Sequence, residues 1–174
     1  MKLKILSNSS EKTRLTGERF ASLLSPGDII FLLGELGGGK TTFISGMAKG
    51  LEARGNVSSP SFTLINIYDF AIEGIEYSLV HCDLYRISGF KEIPDIGIEE
   101  YIYDDRSIVF IEWGDFLKEK ISKDHLVIKF EYLFDDENQK DHKEISDQKR
   151  QLIFSSENAY WNQKLKLFKE MNSL

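Results

Sequence analysis

The chain has 174 residues, of which 41% are hydrophobic and 29% charged, and its formal net charge is −6 at pH 7. This length and composition predict one soluble globular domain and exclude a disordered chain or a membrane protein. The acidic balance argues against a broad basic face that binds nucleic acid directly, because such binding relies on clustered Lys and Arg side chains.

The first apolar segment, Leu3 to Leu6, predicts a strand. Polar residues follow it too soon for a secretory signal, so we expect a cytoplasmic protein. A helix should come next, capped by Ser9 or Ser10 and ended before Pro26. One side of that helix would carry Leu15, Phe20, Leu23 and Leu24.

Residues 34 to 41 match the phosphate-binding pattern G-x-x-x-x-G-K-[ST] in full. Glycines in such a loop let successive backbone N–H groups approach phosphate oxygens, which side chains would obstruct. Lys40 is expected to reach the β- and γ-phosphates, and Thr41 to place its hydroxyl on Mg²⁺. We therefore predict that the chain binds a nucleoside triphosphate, against the alternative of a glycine-rich turn that matches by chance.

The segments on either side of the loop support this prediction. Residues 28 to 33 form an apolar run after a Ser-Pro-Gly turn, which indicates a buried strand. After the loop, an apolar stripe predicts a helix whose N-terminal dipole would face the phosphates. The stripe consists of Phe43, Ile44, Met47 and Leu51.

A β-hairpin is predicted after this unit. Aromatic and β-branched residues are frequent from Phe62 to Phe70 and from Ile75 to Cys82, and Glu73 and Gly74 lie between them. At least part of the sheet should therefore be antiparallel.

The second half of the chain predicts two helical pieces from Phe90 to Tyr103, interrupted near Pro94 and Gly97. Strands are predicted at Ser107 to Ile111 and at Leu126 to Tyr132. The polar residues 135 to 149 indicate a surface loop or hairpin connection, followed by a return strand near Arg150 to Phe154. An amphipathic helix from Glu157 to Met171 would end the fold.

Two acids follow apolar runs and are candidates for work beside a metal. Glu112 ends the run that starts at Ile108, and Asp83 ends the run that starts at Leu79. Mg²⁺ prefers oxygen ligands, and one acid could hold its water shell while the other orients or deprotonates an attacking water. The spacing leaves open which acid does which, and a solvated acid at a strand end is the alternative for both.

Other groups near these acids allow more than one interpretation. Arg86 could offset charge on a transferring phosphoryl group, although an ion pair with Asp83 is the more ordinary expectation. His81 is favoured as a packed or hydrogen-bonded strand residue over a base, and Cys82 as a small buried residue. The hydroxyls from Ser58 to Thr63 suit either a segment that senses the γ-phosphate or an ordinary turn.

Four blocks, taken together, resemble the TsaE family of bacterial ATPases, which serves threonylcarbamoyladenosine formation on tRNA. The blocks are Gly34 to Phe43, Ser59 to Leu64, His81 to Arg86, and Glu112 with Trp113. The resemblance runs from about Thr13 to Tyr132. It implies an α/β fold in which residues 1–174 form a single P-loop NTPase-like domain with a mixed central sheet flanked by helices. Residues 133–174 would form a variable C-terminal hairpin and helix.

The resemblance further implies a protein that binds ATP and Mg²⁺ and hydrolyses ATP weakly unless it is assembled with the other protein subunits of the tRNA-modifying complex. Those subunits would perform the carbamoyl transfer, tRNA would be contacted indirectly, and no membrane would be involved. By position, Lys40, Asp83 and Glu112 would be catalytic, and Thr41 and Glu112 would hold Mg²⁺. The nucleotide would contact Thr13, Glu35, Leu36, Gly37, Gly38, Gly39, Lys40, Thr41 and Thr42.

The chain departs from the family pattern at Ser61, where Thr is usual, and at Gly114 and Asp115, where the Glu-Trp pair is often followed by a different residue and a Glu. Ser61 keeps the hydroxyl. Asp115 is one methylene shorter, which leaves the role of that acid open.

Other functions require features of the sequence that can be checked. A small-molecule kinase shares the phosphate loop but usually needs an Arg-rich mobile lid, and the arginines of this chain are scattered. A GTP-dependent switch would need N-K-x-D and D-x-x-G segments, and neither occurs. A non-catalytic nucleotide sensor remains a further alternative.

Overall fold

The computed structural model describes residues 1–133 and 149–172. In these ranges seven strands form one mixed sheet in the order β1-β7-β6-β2-β5-β4-β3. The strands are β1 Lys2–Ser7, β2 Ile29–Gly34, β3 Ile65–Ile72, β4 Ile75–Asp83, β5 Ser107–Glu112, β6 Leu126–Tyr132 and β7 Arg150–Ser155. The helices are α1 Ser10–Ala21, α2 Lys40–Gly50, α3 Ile93–Ile96, α4 Ile98–Ile102, α5 Asp115–Lys118 and α6 Ala159–Met171.

The centre of the sheet is parallel and its sides are antiparallel. Strand β2 pairs in parallel with β5 and β6, and β5 pairs in parallel with β4. Strand β3 is antiparallel to β4, and β7 is antiparallel to both β6 and β1. The carboxyl ends of β2, β4 and β5 therefore meet at one edge of the sheet, which is where open α/β folds place their ligands.

Helices cover both faces of the sheet, because its central strands are apolar on both sides. Along β2, Ile30 and Leu32 join the core cluster that includes side chains of α1, α2 and α6. The alternate residues Ile29, Phe31 and Leu33 join a second cluster with side chains of α3, α4 and α5. The predicted mixed sheet flanked by helices is confirmed. In the described part of the chain, no helix is long and apolar enough to cross a membrane.

Most predicted elements are present, with differences at their ends. Ser9 caps α1, as predicted, and accepts a hydrogen bond from the backbone N–H of Lys12. The helix ends at Ala21, so Leu23 and Leu24 lie beyond it, where their N–H groups bond three residues back in tighter turns.

The predicted hairpin is present but starts later than its apolar pattern suggested. Its turn places Glu73 and Gly74 at positive φ, which matches the right-handed twist of the two strands. Strand β3 starts at Ile65 instead of Phe62, because Leu64 is at φ 64° and its N–H bonds to the carbonyl of Pro60 in a turn.

The predicted helical region changes type just before Pro94, from a 3-10 helix at Phe90–Glu92 to α3, and it is divided again at Gly97. Pro94 lies in the first turn of α3, where its missing N–H has no intrahelical partner to lose. Gly97, at φ 73°, separates α3 from α4. The loop predicted for residues 135 to 149 lies almost wholly outside the described residues.

Helices α1 and α2 approach closely because glycines lie at their crossing. A Cβ atom at Gly46 would overlap the carbonyl oxygen of Arg14, and one at Gly17 would overlap the carbonyl oxygen of Phe43. We therefore expect Gly46→Ala to lower the free energy of unfolding by about 1–3 kcal/mol, although alanine is intrinsically the better helix former. Urea denaturation measures this change.

Gly89→Ala provides the matched control. Gly89 has an extended φ of 175°, and a Cβ there meets nothing within 4 Å. This variant should keep wild-type stability. A Gly46→Ala protein at least as stable as the wild type would show that the crossing can relax without cost.

Candidate functional site

A cleft of about 340 Å³ lies at the edge where β2, β4 and β5 end. It brings together every predicted site residue except Thr13 and Glu35. Its lining consists of Leu36, Gly37, Gly38, Gly39, Lys40, Thr41, Thr42, Ser59, Ser61, Asp83, Tyr85, Arg86, Glu112 and Trp113. A larger, open depression of about 780 Å³ at the other end of the strands contains none of the predicted residues.

The phosphate loop has the backbone that its glycines allow. Gly37 is at φ 76° and Gly39 at φ 100°, conformations that residues with a side chain rarely adopt. Helix α2 begins directly afterwards, at Lys40, so its unpaired N–H groups and positive dipole end lie at the cleft. This arrangement is a ready site for an anion such as a phosphate group.

The ammonium group of Lys40 is buried within the loop. Its Nζ donates to the carbonyl oxygens of Gly34 and Glu35, both at 2.9 Å. It also lies 4.3 Å from the centre of the Trp113 ring. Burial lowers the pKa of Lys40, and the negative charges of Glu112 and Asp83 oppose that shift.

Glu112 and Thr41 form the part of the cleft that could hold a cation. The Thr41 hydroxyl donates to Glu112 Oε1 at 2.9 Å. Among the described residues, no group of three or more His, Cys, Asp or Glu side chains could hold a metal alone. One hydroxyl and one carboxylate do fit Mg²⁺, which commonly completes its octahedron with waters and phosphate oxygens.

Asp83 holds the segment that follows α2. Its Oδ2 accepts hydrogen bonds from the Ser59 hydroxyl at 2.9 Å and the Ser61 hydroxyl at 2.8 Å, and its Oδ1 accepts from the Tyr85 N–H at 3.0 Å. Ser61 therefore supplies a hydroxyl that bonds to Asp83, although Thr is usual at this position of the family pattern. Asp83 is bonded to neither Lys40 nor Thr41, so the two acids occupy different parts of the cleft.

The ion pair that we expected between Arg86 and Asp83 is not formed, so that prediction is wrong. The guanidinium carbon of Arg86 lies 4.5 Å from the centre of the Phe62 ring. The oxygens of Asp83 are already bonded to the two serine hydroxyls and a backbone N–H. Arg86 lines the cleft without neutralising this acid.

His81 is a hydrogen-bonded strand residue and Cys82 a small buried residue, as we predicted. His81 is fully buried and lies 2.9 Å from Glu112 Oε1 through Nε2. Cys82 is buried, and burial together with the charges of Asp83 and Glu112 raises its thiol pKa to about 12. The thiol therefore stays protonated at neutral pH and is a poor nucleophile.

Thr13 lies beside the phosphate loop and Glu35 is the second residue of the loop, but neither lines the cleft. Thr13 is fully buried, and its hydroxyl bonds to Ser7 and to the carbonyl of Ser9. Glu35 has an exposed side chain, and its carbonyl accepts from Lys40 and from the Gly38 N–H. Nucleotide contact by either residue stays a prediction.

Two residues that support the loop were not among the predicted site residues, although Trp113 belongs to one of the four sequence blocks. Arg150 is buried at the start of β7, and its Nη1 donates to the Gly38 carbonyl at 3.5 Å. A Cβ at Gly39 would lie 2.9 Å from the same nitrogen, so this glycine also makes room for the guanidinium. Trp113 has φ 60° and packs against Tyr85 with ring centres 5.1 Å apart. The sequence offered two signals for these residues: an Arg at the start of an apolar strand, and an aromatic residue directly after a strand-end acid.

Comparison with known proteins agrees with this architecture. The TsaE family model, described as threonylcarbamoyl adenosine biosynthesis protein TsaE, matches residues 7–143. The tRNA threonylcarbamoyladenosine biosynthesis protein TsaE of Streptomyces coelicolor is 38% identical over 119 residues, which are 68% of this chain and 78% of that protein. The protein of the same name from Treponema pallidum is 31% identical over 76% of this chain and 94% of its own length. The crystal structure of Bacillus subtilis YdiB matches with a TM-score of 0.74 and 25% identity, covering 99% of this chain and 97% of that one.

Proposed function

The chain belongs to the TsaE family, and on that premise we propose that it is a Mg²⁺-dependent ATPase that works with partner proteins in the threonylcarbamoyladenosine modification of tRNA. The observation that carries this proposal is the convergence of Lys40, Thr41, Asp83 and Glu112 on one cleft beside the N-terminus of α2. Each has the chemistry that a phosphoryl-transfer site needs.

The loop would bind the phosphates of ATP. Its backbone N–H groups and the dipole of α2 favour negative charge at this position. Lys40 donates two of its three N–H groups to loop carbonyls, so it is held beside the phosphates that it would contact. The buried ammonium offers a phosphate a stronger interaction than a solvated lysine would, because the local dielectric constant is lower.

Thr41 and Glu112 would hold the cation, and Asp83 would act on the attacking water. Bound Mg²⁺ would offset the negative charge of the phosphate oxygens during transfer. Glu112 suits the cation because it is bonded to the loop hydroxyl itself. Asp83 would orient the water or accept its proton, since it faces the same cleft from the end of β4 without contacting the loop.

Exposed apolar side chains near the cleft support a partner protein. Phe62 is 86% exposed, Leu36 71% and Tyr85 56%. Large apolar groups at a functional opening are typical of surfaces that another protein covers. We propose that the other subunits of the modifying complex dock here, contact tRNA themselves, and raise the hydrolysis rate.

Release of phosphate from ATP tests the proposal. We expect slow turnover by the isolated chain and a rise of about tenfold or more with the partner subunits, equivalent to about 1.4 kcal/mol of activation free energy. The measurement should be made with and without tRNA and Mg²⁺. Rapid turnover independent of partners would contradict the proposal. A phosphorylated small molecule in place of free phosphate would establish a kinase, and tight ATP binding without hydrolysis under every condition would establish a sensor.

A further inference from the structure

Glu112 has one carboxylate oxygen fully engaged and one available. Oε1 accepts from the Thr41 hydroxyl and contacts His81 Nε2, both at 2.9 Å. Within the described residues, Oε2 has no hydrogen-bond partner, and Glu112 lines the cleft although it is mostly buried. The two bonds to Oε1 therefore fix the plane of the carboxylate and leave Oε2 for a ligand.

We propose that His81 is a positioning residue that aims Oε2 of Glu112 at the cation; this inference rests on the proposed Mg²⁺ site. His81 contacts the carboxylate directly but is fully buried in β4, so it reaches neither solvent nor a bound nucleotide. It acts through Glu112 and is not itself a catalytic residue.

The surroundings of His81 argue against a role in packing alone. In the described structure its Nδ1 is buried without a hydrogen-bond partner. An unpaired buried nitrogen destabilises the fold, and an apolar side chain would avoid that cost. The residue two positions earlier on the same strand is Leu79, and the residue opposite on β5 is Phe110. A polar ring at this position is explained by the bond that Nε2 makes to Glu112.

The register of the sheet makes the contact possible. Glu112 lies opposite Asp83 on β4, and His81 lies two residues before Asp83 on the same face of that strand. A hydrogen on Nε2, assigned from this geometry, lets the ring donate to the carboxylate. Partners of this kind orient metal ligands, and their loss typically weakens metal affinity about ten- to a hundredfold.

Mn²⁺ binding to the protein complexed with a non-hydrolysable ATP analogue tests the inference. Mn²⁺ replaces Mg²⁺ as the probe, and the concentration of free Mn²⁺ is measured by electron paramagnetic resonance. We expect His81→Leu to weaken Mn²⁺ binding about ten- to a hundredfold. His81→Gln, whose amide nitrogen can take the place of Nε2, should recover most of that affinity, whereas the shorter His81→Asn should not. Affinity for the analogue in EDTA should be unchanged in all three variants.

Leu79→Ala separates positioning from stability. It removes buried volume from the same face of β4 without touching Glu112, so it should lower the melting temperature and leave Mn²⁺ affinity intact. Equal Mn²⁺ affinity in wild type and His81→Leu, or an equal loss in Leu79→Ala, would overturn the role of His81. If His81→Leu does not fold, equal affinity in the Gln and Asn variants would overturn it instead. A wild-type protein that binds no Mn²⁺ with the analogue would refute the proposed Mg²⁺ site itself.

Discussion

Lys40→Ala is expected to weaken ATP binding by at least about tenfold and to bring hydrolysis below detection. Each hydrogen bond from a charged donor contributes about 1.5–3 kcal/mol, so every bond from Lys40 to a phosphate oxygen is equivalent to about ten- to more than a hundredfold in affinity. The substitution also removes the ammonium group that donates to the carbonyl oxygens of Gly34 and Glu35, so the loop itself should become less ordered although the Glu35 carbonyl keeps its bond from the Gly38 N–H. Isothermal titration calorimetry with ATP measures the change in affinity directly.

Lys49→Ala is the matched control for this experiment. Lys49 lies in the same helix but its side chain is 65% exposed, and its ammonium pairs with Glu18 on α1. The variant removes the same formal charge without touching the cleft, and an exposed ion pair contributes at most about 1 kcal/mol to stability. ATP affinity should stay at the wild-type value. Equal affinities in Lys40→Ala and wild type would refute the assignment of the phosphate loop.

The parts of the site that were predictable from sequence are those that short segments determine. The phosphate loop needs glycines at set positions, a lysine and a hydroxyl within eight residues, and all are visible without a structure. Strand-end acids are visible as well, because an apolar run that stops at a carboxylate indicates where a buried strand leaves the core. Glu112 and Asp83 were found in this way and lie in the same cleft.

The remaining parts depend on pairing between distant segments. The contact between His81 and Glu112 requires the β4 and β5 register, which neither strand specifies by itself. The position of Arg150 behind the loop follows from β7 lying next to β6, since these strands pair with Arg150 opposite Tyr132. The same limit explains the wrong ion pair of Arg86. Its closeness to Asp83 in sequence could not show that two serines from another segment already bond to that acid.

The burial of a central strand was predictable from the sequence, whereas the start of an outer strand was not. The two-sided burial of β2 follows from an unbroken apolar run, since a strand covered on both faces needs no polar alternation. The late start of β3 could not be predicted in this way. Phe62 is typical of a strand by composition, but it lies in a turn held by the hydrogen bond from the Leu64 N–H to the Pro60 carbonyl. The strand propensity of this segment is overridden by the hydrogen bonds that Ser59 and Ser61 make to Asp83.

Asp83→Asn is the second variant with a large expected effect. If Asp83 orients or deprotonates the attacking water, the rate of ATP hydrolysis should fall about 10²- to 10⁴-fold, the usual contribution of a positioned acid–base group. The fold around it should survive. The asparagine oxygen can still accept from the Tyr85 N–H, and its amide can donate to Ser59 and Ser61, whose hydroxyls accept as readily as they donate.

Phosphate release and ATP calorimetry, made on the same preparation, distinguish this chemical role from binding. ATP affinity should stay within a few-fold of the wild type because Asp83 makes no bond to the loop. Asp115→Asn is the control: its carboxylate is 65% exposed and pairs weakly with Lys118 at 3.5 Å, so removing its charge should leave both measurements unchanged. A parallel fall in affinity and rate for Asp83→Asn would mean that this acid shapes the nucleotide site. Unchanged hydrolysis would leave Glu112 as the acid in the cleft that acts on water.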